Sequence, residues 1–304
     1  MNTKRTSPHR RTLRLGPILM GVAMVFAACS SAGGGTSVPS TDPGTPTEAP
    51  TPGLSPIDHA IGALDVVFRF EQGGGFVPMG FFATQAPQFT LYGDGTVIFR
   101  DGRAVVPDSG SIGRQSPYLI ATVSEAEVQA LLKFALDESG LRSAGSSYSP
   151  GNVADAPTSI FTINAGGLNK VVSVDALGFD NPQSPDAAIL KTLAVLGERI
   201  RTFADAIVGE VAWAPDRWRG ILMPGPDNPG ASLAWPWSDL APADFVKAID
   251  LVGSQWPVHT LTPAHVDALS LAGIAGGFAS LALSGPDGRS YSLALRPLLP
   301  DETH

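Results

Sequence analysis

The sequence of residues 87–100 is Pro87-Gln88-Phe89-Thr90-Leu91-Tyr92-Gly93-Asp94-Gly95-Thr96-Val97-Ile98-Phe99-Arg100. Phe89 and Leu91 alternate with polar neighbours, and Val97 and Phe99 repeat the alternation beyond the two glycines. Glycines in this position supply the positive φ angles that a tight turn between two strands requires. The stretch therefore predicts a β-hairpin, in which Asp94 forms the turn rather than acting as a catalytic acid.

Local signals on either side of the hairpin predict a strand and a helix. Residues 64–70 are an apolar run typical of a strand, and the Gly73-Gly74-Gly75 run after it predicts a turn or bulge. A phosphate-binding loop is not favoured there, because no Lys-Ser or Lys-Thr pair follows and no helix begins. Beyond the hairpin, Ser124 and Glu127 have the spacing of a capping box. They predict a helix with an apolar stripe that ends at Gly140.

A second strand pair and a long helix follow. Residues 159–165 and 170–176 predict two strands joined at Gly166-Gly167. Ser184 as N-cap and Pro185 at the first helical position predict the start of the helix. Its buried face is expected to consist of Ile189, Leu193, Leu196, Ile200, Phe203 and Ile207.

The order of these elements resembles a family of unknown function found in secreted bacterial lipoproteins. The hairpin has the form Pro-x-Φ-x-Φ-x-x-Asp-Gly-x-Φ, where Φ is apolar, and a capped helix follows it. Tyr148, the run Asp155-Ala156-Pro157-Thr158, the second strand pair and the final helix complete the pattern over residues 64–208. The resemblance implies a small α+β domain and carries over no catalytic residues. Members often have cysteines before the hairpin; this chain has none there, so no role tied to those thiols is expected.

Residues 209–304 predict a second unit of the same class. Residues 211–223 are strand-like, residues 242–252 predict an amphipathic helix, and Thr262-Pro263 begins another helix. Residues 278–283 and 290–295 predict a final hairpin. We therefore expect an α+β fold of two small units, residues 57–208 and 209–304, each with antiparallel hairpins packed by amphipathic helices.

The N-terminal segment has the order of an export signal. A basic stretch precedes an apolar run at residues 15–28, and the single cysteine of the chain, Cys29, follows directly. The run is shorter than the roughly 20 residues that span a bilayer as a helix. This order resembles a bacterial lipoprotein signal, which implies cleavage before Cys29 and lipidation of its thiol, for example with palmitate. Ordinary secretory cleavage near Ala28 is the alternative, and Arg10-Arg11 leaves twin-arginine export open.

The predicted layout is a signal peptide at residues 1–28 and a tether at residues 29–56. The tether is rich in Pro, Gly, Ser and Thr and has no apolar periodicity, so we expect it to act as a spacer. Acyl chains on Cys29 would anchor the protein in the cell membrane, on the extracytoplasmic face. The chain has 28 acidic and 20 basic residues, and removal of the signal would take away basic residues alone. Such a charge disfavours nucleic acid as a partner.

The usual catalytic and metal-binding motifs are missing from the sequence, which predicts no cofactor and no metal. His59, His259, His265 and His304 lack the spacing that puts two ligands on one helix face. The predicted function is a non-enzymatic binding or scaffolding module of the cell envelope. The alternative is a cell-envelope hydrolase that uses loop carboxylates, for which the candidates are Asp94, Asp101, Asp108 and Asp155.

The five tryptophans lie within 44 consecutive residues of the second predicted unit. They are Trp213, Trp218, Trp235, Trp237 and Trp256. Exposed rings in proline-rich loops bind neutral glycans or protein surfaces, so this segment is the predicted ligand site, with an envelope glycan or protein as the partner. The alternative is that the rings fill the core of a small unit.

Overall fold

The computed structural model describes residues 55–77, 79–107, 112–149, 153–179, 182–226, 231–247 and 256–303. The predicted signal peptide, Cys29 and the tether up to residue 54 lie outside these residues. Contacts group Leu54–His304 into one compact unit. This unit has an α+β fold with two sheets, and the expected boundary at residue 209 lies close to the change from one sheet to the other. The division into two units, residues 57–208 and 209–304, stays a prediction.

The first sheet has eight strands among the described residues, in the order β5-β7-β6-β1-β2-β3-β4-β8. Neighbouring strands are antiparallel except β5 and β7, which are parallel. In chain order the strands are β1 (Val66–Gly74), β2 (Phe89–Tyr92), β3 (Thr96–Arg100), β4 (Tyr118–Thr122), β5 (Ser147–Tyr148), β6 (Pro157–Ala165), β7 (Leu168–Asp175) and β8 (Val211–Ala212). The helices of this part are α1 (Met79–Ala83), α2 (Glu125–Lys133), α3 (Ala187–Arg201) and α4 (Phe203–Ala206).

The predicted hairpin is confirmed as β2 and β3, with Phe89 opposite Phe99. Gly95 has a φ of 84°, and the Asp94 carboxylate accepts a hydrogen bond of 2.9 Å from the Thr96 amide. Gly93 is required for a different reason, since a Cβ there would lie 2.4 Å from the carbonyl oxygen of Ala60. The turn thus combines one left-handed glycine with one glycine that permits close backbone approach.

An apolar core lies between the first sheet and its helices. The capping box of α2 is confirmed, because the Ser124 hydroxyl accepts from the Glu127 amide and the Glu127 carboxylate accepts from the Ser124 amide. The helix continues as a π-helical turn over Phe134–Glu138 before Gly140, which has a φ of 78°. We call this cluster the first core; its fully buried members include Phe68, Phe70, Phe89, Leu132, Leu136, Phe161, Leu193 and Leu196. Burial of each such side chain contributes about 1.5–3 kcal/mol.

The second sheet has six strands in the part of the chain that is described, in the order β10-β13-β14-β9-β12-β11. They are β9 (Trp218–Pro224), β10 (Leu233–Ala234), β11 (Val246–Lys247), β12 (Pro257–Leu261), β13 (Phe278–Ser284) and β14 (Ser290–Pro297). The final hairpin is confirmed as β13 and β14, and α5 (Pro263–Ala268) begins after the capping residue Thr262, as predicted. A second core of Trp218, Trp237, Phe245, Leu261, Phe278, Leu293 and Leu295 packs on one face of this sheet.

The predicted helix over residues 242–252 is wrong in its described portion. Pro242–Asp244 forms a single 3-10 turn, and Val246–Lys247 pairs with β12 as a short strand. Phe245 is buried within 6.3 Å of the Trp235 and Trp237 rings, measured between ring centroids. Tertiary packing of one aromatic side chain and pairing to a strand therefore outweigh the local helical periodicity. Residues 248–252 of the prediction lie outside the described residues.

Three other boundaries differ from the predictions. Helix α3 begins at Ala187, and the Ser184 hydroxyl accepts from the Asp186 amide in the turn before it, so Ser184 is not the N-cap. The predicted strand at 211–223 is divided between β8, which joins the first sheet, and β9, which joins the second. Strand β1 continues through Gly73 and Gly74, so the glycine run is the end of a strand rather than a turn after it.

Charged side chains join the two sheets. The Asp301 carboxylate accepts from the Arg69 guanidinium at 2.7 and 2.8 Å and from the Tyr92 hydroxyl at 2.7 Å, and both donors belong to the first sheet. The neighbouring Glu302 accepts from Arg296 of β14 at 2.7 and 2.9 Å. We call these five residues the inter-sheet cluster. Residues 301 and 302 therefore connect one sheet to the other through two adjacent carboxylates.

Burial shifts the pKa values in and beside this cluster. Burial alone would raise the pKa of Glu302, but the hydrogen bonds and the positive charge of Arg296 outweigh it and lower that pKa. Burial raises the pKa of Glu71, against the opposing charge of Arg69. Burial, together with the like charge of Arg296, lowers the pKa of Arg219 to about 10. Within the described chain the Nε atoms of Arg219 and Arg296 have no hydrogen-bond partner.

Candidate functional site

The five tryptophans do not form one exposed surface. Trp218 and Trp237 are buried, and the Trp237 indole donates to the His265 carbonyl oxygen at 2.8 Å. The Trp235 ring is half-buried, donates to the Leu240 carbonyl oxygen at 2.6 Å and lies edge-on to Trp237, with 5.0 Å between centroids. These contacts are those of core side chains with satisfied N–H groups.

The other two tryptophans lie in different clusters. The Trp213 ring packs edge-on against Tyr118, with 5.7 Å between centroids, in a group next to the first sheet. Trp256 packs against a small apolar cluster on the second sheet that consists of Ile221, Met223, Val258 and Ala294. Both rings are half-buried. This distribution favours the core alternative, while a ligand-binding role for the tryptophans stays a prediction.

The acidic residues considered for a hydrolase have local structural roles where they are described, through the side chains of Asp94 and Asp101 and through the backbone of Asp155. Asp94 forms the hairpin turn, and Asp101 accepts from the amide of Arg103 at 3.0 Å and pairs with its guanidinium. Asp155 has a φ of 59°, and its backbone oxygen accepts from the amide of Phe76. Asp108 lies outside the described residues. In the described ranges no hydrogen bond links one of these carboxylates to another.

The described histidines each have a local partner. His59 lies 3.2 Å from Glu125, His265 belongs to the cap of α5 and lies 3.3 Å from Asp239, and His259 lies 3.2 Å from the backbone oxygen of Asp244. His304 is outside the described residues. Among the residues that the structure describes, no group of three His, Cys, Asp or Glu could hold a metal ion. None of the described helices is both long enough and apolar enough to cross a membrane.

An unpaired strand edge marks a different candidate site. Strand β1 pairs with β6 along its length to Gly74, but its pairing with β2 ends at Phe70. The amide of Gln88 donates to the Phe70 carbonyl oxygen at 2.8 Å, and the chain of β2 diverges beyond that point. Residues 71–74 therefore keep one edge that no described strand covers. Backbone N–H and C=O groups at such an edge are free to pair with another chain.

A cleft of about 420 Å³ lies beside this edge. The end of β1 and the following residues form one wall, through Gln72 to Val77, and Gln85, Ala86 and Gln88 form the other. Gln115, Phe81, Asp155 and Pro157 complete the lining. Phe76 lies at the rim and is 89% exposed, so its ring packs against almost none of the described protein.

The side chains of this cleft are amide-rich and almost uncharged. Among the described lining residues Asp155 alone carries a formal charge. The Gln115 amide is occupied, since it donates to the Thr84 hydroxyl at 2.7 Å and accepts from Arg100 at 3.0 Å. The side-chain amides of Gln85 and Gln88 hydrogen-bond to no described residue. The cleft thus offers two free amide groups that can each donate and accept.

Glycine at position 73 makes room for one of these amides. A Cβ at Gly73 would lie 2.1 Å from Oε1 of Gln85, so the glutamine side chain lies directly over the strand. Gly74 and Gly75 have φ angles of 84° and 83°, which residues with a Cβ adopt only at a cost in conformational energy. Since these three glycines have no side chains, the backbone of residues 73–75 is directly accessible to a ligand in the cleft. A Gly-rich strand end is a signal for close backbone approach that the sequence contained and that the turn interpretation missed.

Comparison of this chain with protein-family models, with curated proteins and with solved structures found no match.

Proposed function

We propose that the protein is a lipid-anchored binding module exposed on the extracytoplasmic face of the cell membrane. The observation that carries this proposal is the position of the cleft relative to the start of the described chain. The Gly166 amide donates to the Asp58 carbonyl oxygen at 2.7 Å, and His59 forms an isolated bridge with Ala165, so the chain enters beside one end of β6. The cleft lies beside the other end, where Gly74 is opposite Pro157.

The two ends of β6 are far apart on the scale of a small domain. The strand has nine residues, which at about 3.3 Å per residue separates Ala165 from Pro157 by roughly 26 Å. An anchor at Cys29, followed by the predicted tether, would therefore attach at the end of the sheet opposite the cleft. A binding site placed in this way is open to partners in the envelope.

Binding rather than catalysis is the function that the side chains of the cleft support. Hydrolysis requires a nucleophile and a base, or two carboxylates that flank the bond to be broken. The described lining supplies amides, backbone and phenyl rings with a single carboxylate. These groups recognise a ligand through hydrogen bonds and apolar contact.

Metabolic labelling tests the anchor. Cells that express the full-length protein are grown with radiolabelled palmitate, and the wild type is compared with Cys29→Ala. We expect label in the wild type alone, with the variant released into the medium. Equal labelling of the two proteins, or retention of the unlabelled variant in the membrane fraction, contradicts the proposed anchor.

Site-specific photo-crosslinking tests the binding role in intact cells. A benzophenone amino acid replaces Phe76 at the cleft or, as the matched control, Phe179, which is 55% exposed beside α3. We expect a crosslinked adduct from position 76 that position 179 does not give. Absence of any adduct at position 76, or the same adducts at both positions, contradicts a binding role for this cleft.

A further inference from the structure

We infer that the cleft binds an extended, uncharged peptide segment, which adds as a short strand to the open edge of β1. This inference rests on the proposed binding function and names the ligand class of the same cleft. The open edge spans residues 71–74, of which Gly74 has a φ of 84° rather than an extended value, and β6 already occupies their other edge. A strand added there would continue the sheet in the place that β2 leaves beyond Phe70.

The open edge favours a peptide over a saccharide. Along a strand edge, N–H donors alternate with C=O acceptors, and their spacing matches that of the groups on a second extended peptide backbone. The three residues before Gly74, 71–73, at about 3.3 Å each would accommodate a segment of about three residues. The volume of about 420 Å³ between the two walls provides space for that backbone and its side chains.

The side chains around the edge specify the chemistry of the segment. Gln85 and Gln88 have free amides, which match the polarity of peptide groups and carry no charge. Phe76 and Phe81 provide apolar contact for side chains that point to one face of the added strand. The lining has no described lysine or arginine, so an acidic segment would find no positive charge to pair with, and the Asp155 carboxylate would repel it. An uncharged segment with an alternating apolar side chain fits all of these groups.

A single substitution can close the cleft without backbone strain. Gly73 lies outside the left-handed region of φ, so an L side chain is allowed there, whereas Gly74 and Gly75 are not suitable. The group that a Cβ at Gly73 would meet is the mobile end of the Gln85 side chain. Gly73→Val should therefore displace the Gln85 amide and fill the cleft, and valine also favours strand conformation.

Selection from a phage-displayed library of random heptapeptides tests the inference. Full-length protein in detergent is the bait, and the affinity of an enriched peptide is then measured by fluorescence anisotropy. We expect enriched peptides that are uncharged at the centre with alternating apolar residues. Methylation of one central amide nitrogen should weaken binding about tenfold, the change that one or two lost hydrogen bonds produce. Gly73→Val and Phe76→Ala should weaken it at least as much, and Phe179→Ala should leave it unchanged.

The outcomes separate the peptide from other ligands. Thermal melting near that of the wild type shows that each variant is folded. The inference is overturned if the amide methylation and Gly73→Val both leave the affinity of the enriched peptides unchanged. It is also overturned if the selection enriches no sequence. If an array of neutral oligosaccharides binds the wild type and Gly73→Val abolishes that binding, the peptide is wrong while the binding function stands. A lack of crosslinks at position 76 in cells would instead remove the binding function itself.

Discussion

The first core and the inter-sheet cluster stabilise the protein in different ways. The first core consists of apolar side chains from β1, β2, β3, β4, β6 and β7 and from the helices and loops packed on them. The inter-sheet cluster consists of charged and hydroxyl groups, and its hydrogen bonds join residues up to 232 positions apart. Apolar burial is non-directional and tolerates small shifts, whereas the bonds of Asp301 and Glu302 require their donors at fixed positions.

The difference indicates a division of roles. Removal of apolar surface from water provides the larger share of the folding free energy. A buried ion pair adds little net free energy, since the desolvation of both charges opposes their attraction, but loss of one partner is costly. We therefore expect the first core to determine how stable the protein is, and the inter-sheet cluster to determine how the two sheets are placed.

Truncation of a ring in the first core should have the largest effect. Phe161 is fully buried, with its ring centroid 5.0 Å from that of Phe70. Phe161→Ala should lower the free energy of unfolding by about 3–5 kcal/mol, because it removes apolar contact and leaves a cavity. Denaturation in urea measures the change, with the exposed Phe179→Ala as control. Similar losses in the two variants would contradict the assignment of Phe161 to the core.

Removal of one charge from the inter-sheet cluster should have the next largest effect. Glu302→Gln leaves the buried guanidinium of Arg296 without its counter-charge, and we expect a loss of about 3 kcal/mol at neutral pH. The side chain of Arg296 is only 4% exposed. The exposed Glu198→Gln, which breaks a surface pair with Arg201, is the control and should cost less than about 1 kcal/mol. Equal costs would show that the cluster is no more important than a surface pair.

The effect of Glu302 should depend on pH in a defined direction. Its pKa is lower in the folded state than the ordinary value of 4.5, so its contribution to stability is present above that value. The contribution is lost as the pH falls through the folded-state pKa. The gap in unfolding free energy between wild type and Glu302→Gln should therefore narrow below about pH 4.5. A gap that stays constant from pH 7 to strongly acidic pH would contradict this linkage.

Neutralisation of Glu71 should have the smallest effect and the opposite sign. Its pKa is raised by burial, so its contribution to stability is present below the unfolded-state pKa and is lost as the pH rises through the folded-state pKa. At pH 7 the charge opposes folding, and Glu71→Gln should raise the free energy of unfolding by up to about 1 kcal/mol. The melting temperature at neutral pH should rise, and the gain should disappear in acid. A decrease at neutral pH would show that Glu71 pairs favourably with Arg69.

The elements with strong local signals were predicted from the sequence. The β2–β3 hairpin depends on residues 93–95, and α2 depends on the capping box at Ser124, so a short window contains the information for each. The failure at residues 242–252 has the converse reason. Phe245 is buried by rings from distant positions and the next two residues pair with β12, which no local window contains. The inter-sheet cluster was not predicted either, because its partners are far apart in the chain.

The candidate cleft also depends on information that the sequence does not display. Its open edge exists because β1 continues four residues beyond the last residue that pairs with β2, and strand register follows from tertiary packing. Gly73-Gly74-Gly75 was visible as a signal, but only the register shows that two of these glycines belong to a strand. The tryptophans were the more prominent pattern; two of them are buried and three are half-buried, and their ligand-binding role stays a prediction.

The wide separation of the partners in the inter-sheet cluster has a consequence for the order of folding. The Tyr92 and Arg69 contacts to Asp301 join residues 209 and 232 positions apart, so we expect them to close after the hairpins and capped helices have formed. Contacts absent from the transition state influence the rate of unfolding and leave the rate of folding nearly unchanged. We therefore expect the cluster to slow unfolding and so to lengthen the lifetime of the folded protein.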